Sequence, residues 1–161
     1  MKKILFILMA MFTIGLQNVN AQDAPIKIVT NHPDFKIKVK RCAASGRTVV
    51  LDLILKNEGD NDVEGLRAHS GVWGAEIYDD QGNIYKGTDI TIKAANSRNY
   101  DTYCADFNIP SEVPITLSLQ IKNVSISAES FSRVNIPITC PAWDLKKDQP
   151  IRISNIPITR D

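Results

Sequence analysis

Along most of this chain apolar and polar residues alternate with a period of two, which commits it to extended strands rather than helices. In FKIKVKRCA, Phe35, Ile37 and Val39 face one way while Lys36, Lys38 and Lys40 form a wet face. The turn Ala44-Ser45-Gly46 leads into TVVLDLILKN, where Val49, Leu51, Leu53 and Leu55 share one side and Val50 and Ile54 the other. A strand apolar on both sides is expected at the centre of a sheet. Residues 58–71 (EGDNDVEGLRAHSG) read as a loop by composition.

The strand pattern resumes over 73–78, with Trp73, Ala75 and Ile77 on one face, so Trp73 is expected in the core. Asp79-Asp80-Gln81-Gly82-Asn83 is the clearest reversal, because aspartate starts turns and glycine takes a positive φ. Ile84 and Tyr85 begin the return strand, and Ile90 and Ile92 continue the extended pattern. Further strands are predicted over 100–109, 114–123, 132–140 and 151–159. Seven or eight short strands separated by turns indicate an antiparallel β-sandwich rather than βαβ units.

The pentapeptide Asn-Ile-Pro-Ile-Thr occurs twice, at 135–139 and 155–159. Each proline removes a ladder donor, so both strands are expected at sheet edges or at bulges. Residues 141–161 then read as carrying an extra C-terminal edge strand, pairing with a sheet edge of this chain or of a partner.

Residues 1–21 have the form of an export signal: Lys2 and Lys3, an apolar run over 4–16, and Val19-Asn20-Ala21 before the cleavage point. The run is shorter than the roughly 20 residues a membrane-spanning helix needs. Cleavage between Ala21 and Gln22 leaves a linker at 22–33 and one domain at 34–161, periplasmic or secreted and without a transmembrane segment. Losing Lys2 and Lys3 lowers the basic count from 19 to 17, against 18 acids. That balance, without a clustered basic face, argues against nucleic acid as the partner.

Catalytic and cofactor motifs are missing from the sequence. His32 and His69 stand in no metal-ligand spacing, and no Gly-x-Ser-x-Gly elbow occurs. Glu58, Asp60 and Asp62 crowd one turn, and Asp79 and Asp80 another; they are the weak candidates for calcium, although turn chemistry alone explains them. Trp143, in the 141–150 connection, and Tyr78, Tyr85, Tyr100 and Tyr103 are candidates for an aromatic ligand face of the kind that stacks on sugars.

The segments VVLDLILKN (49–57), AEIYDDQGNIY (75–85), DFNIP (106–110) and VPITLSLQIKNV (113–124), in this order, resemble uncharacterised secreted bacterial immunoglobulin-like domains. The resemblance covers roughly residues 34–140. It implies an immunoglobulin-like sandwich and a non-catalytic accessory or interaction module, with no functional residues to carry over. In such sandwiches the first and last strands often lie parallel. With three cysteines in an oxidising compartment, that placement favours a Cys42–Cys140 bridge, with Cys42–Cys104 and no bridge as alternatives. The expected function is a non-enzymatic module contacting another envelope or secreted protein. The alternative is a carbohydrate- or calcium-assisted binding module.

Overall fold

The computed structural model describes residues 24–30, 34–71, 73–97, 103–140 and 150–160. The expected export signal, Trp143, Tyr100 and His32 lie outside them. Among the described residues the fold is all-β, with thirteen strands in three sheets. The strands are β1 (Lys27–Val29), β2 (Phe35–Ser45), β3 (Thr48–Asn57), β4 (Val63–His69), β5 (Glu76–Asp79), β6 (Ile84–Lys86) and β7 (Ile90–Ala94). They continue with β8 (Cys104–Ile109), β9 (Ile115–Ile121), β10 (Ser130–Ile136), β11 (Ile138–Thr139), β12 (Ile151–Pro157) and β13 (Thr159–Arg160).

Sheet I has the order β1-β12-β10-β5-β6, sheet II β13-β2-β3-β9-β7, and sheet III β11-β4-β8. Strands pair antiparallel, except that β13 runs parallel to β2. One apolar cluster draws on all three sheets: Leu51, Leu53, Leu117 and Leu119 from II, Phe131, Val134 and Ile153 from I, and Leu66 and Phe107 from III. Each such side chain contributes about 1.5–3 kcal/mol through burial. The expected central strand is β3, held between β2 and β9 with Val49, Leu51, Leu53 and Leu55 fully buried.

Several expectations are corrected. Residues 58–71 are not all loop, because 63–69 form β4 between β11 and β8. A bulge between Val63 and Leu66, at Gly65 with φ +71°, moves the strand out of simple alternation. Val63 and Leu66 therefore both face inward, three residues apart, which a period-two reading cannot detect.

The C-terminal strand is not an added edge. β12 lies inside sheet I, paired with β10 on one side and β1 on the other. The repeated pentapeptide marks something else: both copies sit where the chain leaves sheet I. β10 ends at Ile136 and β11 joins sheet III at Ile138, while β12 ends at Pro157 and β13 joins sheet II at Thr159. A residue without an N–H suits the point where a strand changes partners. The edge placement holds for the short halves after each proline, since β11 and β13 are edges.

The Cys42–Cys140 bridge is not formed, and none of the three cysteines is in a disulfide. The strand parallel to β2 is β13, pairing Thr159 with Ala43 and Arg160 with Ala44, so Cys42 neighbours the C-terminus rather than Cys140. Cys140 follows β11 in sheet III, where its thiol donates to the Glu64 carbonyl. Burial pushes the Cys42 thiol up to about 12, against the opposing charge of Arg160.

Candidate functional site

The β5–β6 hairpin carries two of the candidate acids and two of the candidate tyrosines, and it uses them internally. Asp79 Oδ1 accepts from the backbone N–H groups of Gln81 (3.0 Å) and Asn83 (2.8 Å). Its Oδ2 accepts from Asn83 Nδ2 (2.8 Å) and the Tyr85 hydroxyl (2.7 Å). A carboxylate offers about four lone-pair sites, so none is left for a cation. Asp80 accepts from the Glu129 N–H, Asp62 accepts from the Ser111 N–H, and Asp60 is exposed in its turn. Among the described residues no group of three or more His, Cys, Asp or Glu is placed to hold a metal.

Burial acts to raise the Asp79 carboxyl, but the bonds from Asn83, Tyr85 and Gln81 outweigh it and hold the group below its ordinary value. A carboxyl depressed on folding adds stability that is full above the unfolded value of about 3.9 and lost as pH falls through the folded one. Urea midpoints are therefore expected to fall more steeply below about pH 4 in the native chain than in Asp79→Asn. Parallel acid limbs would count against this assignment.

The three candidate tyrosines among the described residues do not share a face. Tyr85 is buried, edge-on to Phe131 with ring centroids 6.3 Å apart, and its hydroxyl also accepts from the Ser125 N–H. Tyr78 lies on the opposite side of the hairpin under the Arg133 guanidinium, 4.4 Å from the ring centroid, and donates to Glu76. Tyr103 is 47% exposed and stands apart from both, just before β8.

The feature that the parity reading missed is Trp73. It is 92% exposed rather than in the core, because it lies in the turn before β5, not on the strand. That turn is closed by Gly74 N–H to the Gly71 carbonyl (2.8 Å) and Ala75 N–H to the His69 carbonyl (2.7 Å). It is tied to the residue preceding β8 by Ser70 N–H to the Tyr103 carbonyl (2.8 Å). A Cβ on Gly74 would stand 2.5 Å from the Ser70 carbonyl carbon, so the turn requires glycine there. The flanking glycines of Gly71-Val72-Trp73-Gly74 were the available turn signal.

Beside this turn, Gly71 and Tyr103 meet Gly87 and Thr88 around a hollow of about 300 Å³. Together they place an exposed indole, a half-exposed phenol and a small apolar hollow at one end of β5. Large aromatics held on rigid backbone are the residues that dominate binding at interfaces. Of the remaining exposed large aliphatics, Ile84 and Ile126 line the cleft at the other end of β5.

At the other end of β5 lies a larger cleft, about 690 Å³, lined by Arg47, Gln81, Asn83, Asp89, Asn123 and Ile126 among others. Its polar groups bond to one another and to the adjoining loop. Asn123 Nδ2 donates to Asp89 (2.8 Å), Gln81 Nε2 to Ser127 (2.9 Å), and Arg47 to the Asn123 carbonyl (3.4 Å). A ligand there would have to displace these bonds. The Trp73 end, whose exposed apolar surface needs no such exchange, is the better candidate.

No protein-family model matches the chain, and no curated protein matches it. Among solved structures it is similar to a family 123 glycoside hydrolase from Clostridium perfringens, at 9% identity and a TM-score of 0.41 over 70% of this chain and 20% of that one. It is also similar to a GH20 exo β-N-acetylglucosaminidase from Vibrio harveyi, at 10% identity and a TM-score of 0.34 over 80% of this chain and 18% of that one. The chain thus spans about a fifth of the length of either enzyme. Among the described residues no helix is long and apolar enough to cross a membrane.

Proposed function

We propose that this chain is an exported, non-catalytic module of the immunoglobulin-like β-sandwich kind, acting through contact with another envelope or secreted protein. The observation that carries the contact is Trp73, almost wholly exposed on a turn closed by the Gly74 N–H on the Gly71 carbonyl. The strand orders β2-β3-β9-β7 and β12-β10-β5-β6 support the fold, since they follow the A-B-E-D and G-F-C-C′ orders of such sandwiches. Export rests on residues 1–21. Sequencing the N-terminus of the protein recovered from cells is expected to start at Gln22, and an intact Met1 start would remove this part of the reading.

Affinity capture from envelope extracts, with native chain and Trp73→Ala as paired baits, tests the contact. A buried tryptophan anchor is worth about 2 kcal/mol or more, so the variant should retain roughly thirtyfold less of the partner. The urea midpoint should not move, because truncating an exposed side chain changes stability by no more than about 0.5 kcal/mol. Equal enrichment by both baits, or none by either, would sink the reading.

The second reading, a carbohydrate- or calcium-assisted binding module, is favoured by the nearness of the Trp73 turn to exposed Tyr103, since sugars stack on such rings. A glycan array probed with and without calcium separates the two. Silence in both states removes the second.

A further inference from the structure

The outer face of sheet III gathers groups that neither reading of the Trp73 end uses. Cys104 on β8 is the register partner of His69 on β4. The Cys104 Sγ lies 3.5 Å from His69 Nδ1, and His69 Nε2 lies 3.3 Å from Thr139 Oγ1 on β11. Two register positions away, on the same face, Arg67 and Asp106 form a two-pronged ion pair. The imidazole is therefore faced by Arg67 on its own strand, by Cys104 and Asp106 on β8, and by Thr139 on β11.

We infer that Cys104 is an exchange-competent thiol with His69 as its base, a site at which a low-molecular-weight disulfide forms a mixed disulfide with this chain. When the thiol donates to Nδ1, the ring proton sits on Nε2 and is donated to Thr139 Oγ1. Thr139 thus holds the tautomer and ring orientation that leave the Nδ1 lone pair facing sulfur. Burial first, and then the Arg67 charge, lowers His69 below its usual value against the pull of Asp106, so the imidazole is neutral near pH 7 with its Nδ1 lone pair open to a proton. The ion pair ties the guanidinium to Asp106, leaving His69 beside a locally balanced pair of charges.

The step balances. His69 Nδ1 takes the Cys104 proton, and the thiolate attacks one sulfur of R–S–S–R. A Cys104–S–S–R bond forms as the S–S bond of the reagent breaks, and the leaving thiolate recovers the proton from His69. The Cys104 sulfur is oxidised and the leaving sulfur reduced, so no further oxidant is needed. Selectivity follows from placement: Cys42 and Cys140 are 5% and 7% exposed, whereas Cys104 is partly exposed. The inference is independent of export and of the Trp73 contact.

The test uses the full native chain and dithiobisnitrobenzoate, itself a disulfide, over about pH 5 to 9, followed by peptide mass mapping. One equivalent of reagent thiolate is expected per folded chain, with the label on Cys104. An ordinary thiol is only a few per cent ionised at pH 7, so His69→Asn should slow labelling about tenfold there. Its rate should converge on the native rate towards pH 9, where thiolate forms without a base. First label on Cys42 or Cys140, an unlabelled Cys104, or a His69→Asn rate within about twofold of native at pH 7 would each overturn the inference. If His69→Asn fails to fold by circular dichroism, Thr139→Val serves instead. Its rate–pH profile should move to higher pH, and an unmoved profile overturns the inference equally.

Discussion

Truncating Phe131 to alanine is expected to lower the free energy of unfolding by about 3–5 kcal/mol, the usual cost of removing a fully buried aromatic ring. Phe131 has no exposed surface, sits on β10 between β5 and β12, and packs edge-on against Tyr85. Its neighbours belong to paired strands that cannot slide inward without breaking ladder bonds, so the cavity should stay largely open. Equilibrium urea unfolding reads the loss. A change below about 1 kcal/mol would mean that the site collapses and that Phe131 is not a keystone of sheet I.

The second large effect belongs to Asp79→Ala, expected to cost about 2–4 kcal/mol. Four donors converge on this carboxylate, and they do not lose equally. Gln81 and Asn83 are exposed, so water can take over their N–H groups, whereas the Tyr85 hydroxyl is buried and would lose its acceptor. The acid-limb comparison with Asp79→Asn reads the same network through charge. Because Tyr85 touches both Asp79 and Phe131, the double variant should fall short of the sum by about 0.5 kcal/mol or more. Full additivity would show that the two sites do not communicate through that ring.

Much of the architecture was legible because alternation is enforced wherever one face of a strand is wet. β2, β3, the β5–β6 hairpin with Gly82 at φ +84°, and β9 all fall where the pattern places them. β4 was hidden because its bulge at Gly65 breaks the period. Trp73 was misplaced because parity extrapolated a strand backwards across Gly74, which closes a turn instead. The sequence reads the candidate acids as solvated turn residues, whereas Asp79 closes β5 and is buried. What the sequence could not convey is that Asp79 is saturated by donors that include a buried tyrosine.

The cysteines show the same division. Their number was plain, but partner choice depends on which strand ends lie together. The pairing of β13 with β2 placed Arg160, not Cys140, near Cys42. The pairing of β4 with β8 set His69 against Cys104, thirty-five residues away. By itself the sequence determined the all-β class, the central strand and the main reversals, because those depend on local periodicity and turn geometry. Only the tertiary structure decided the sheet crossings at the two prolines and the meeting of thiol with imidazole. Those depend on register between distant strands, and no local pattern encodes register.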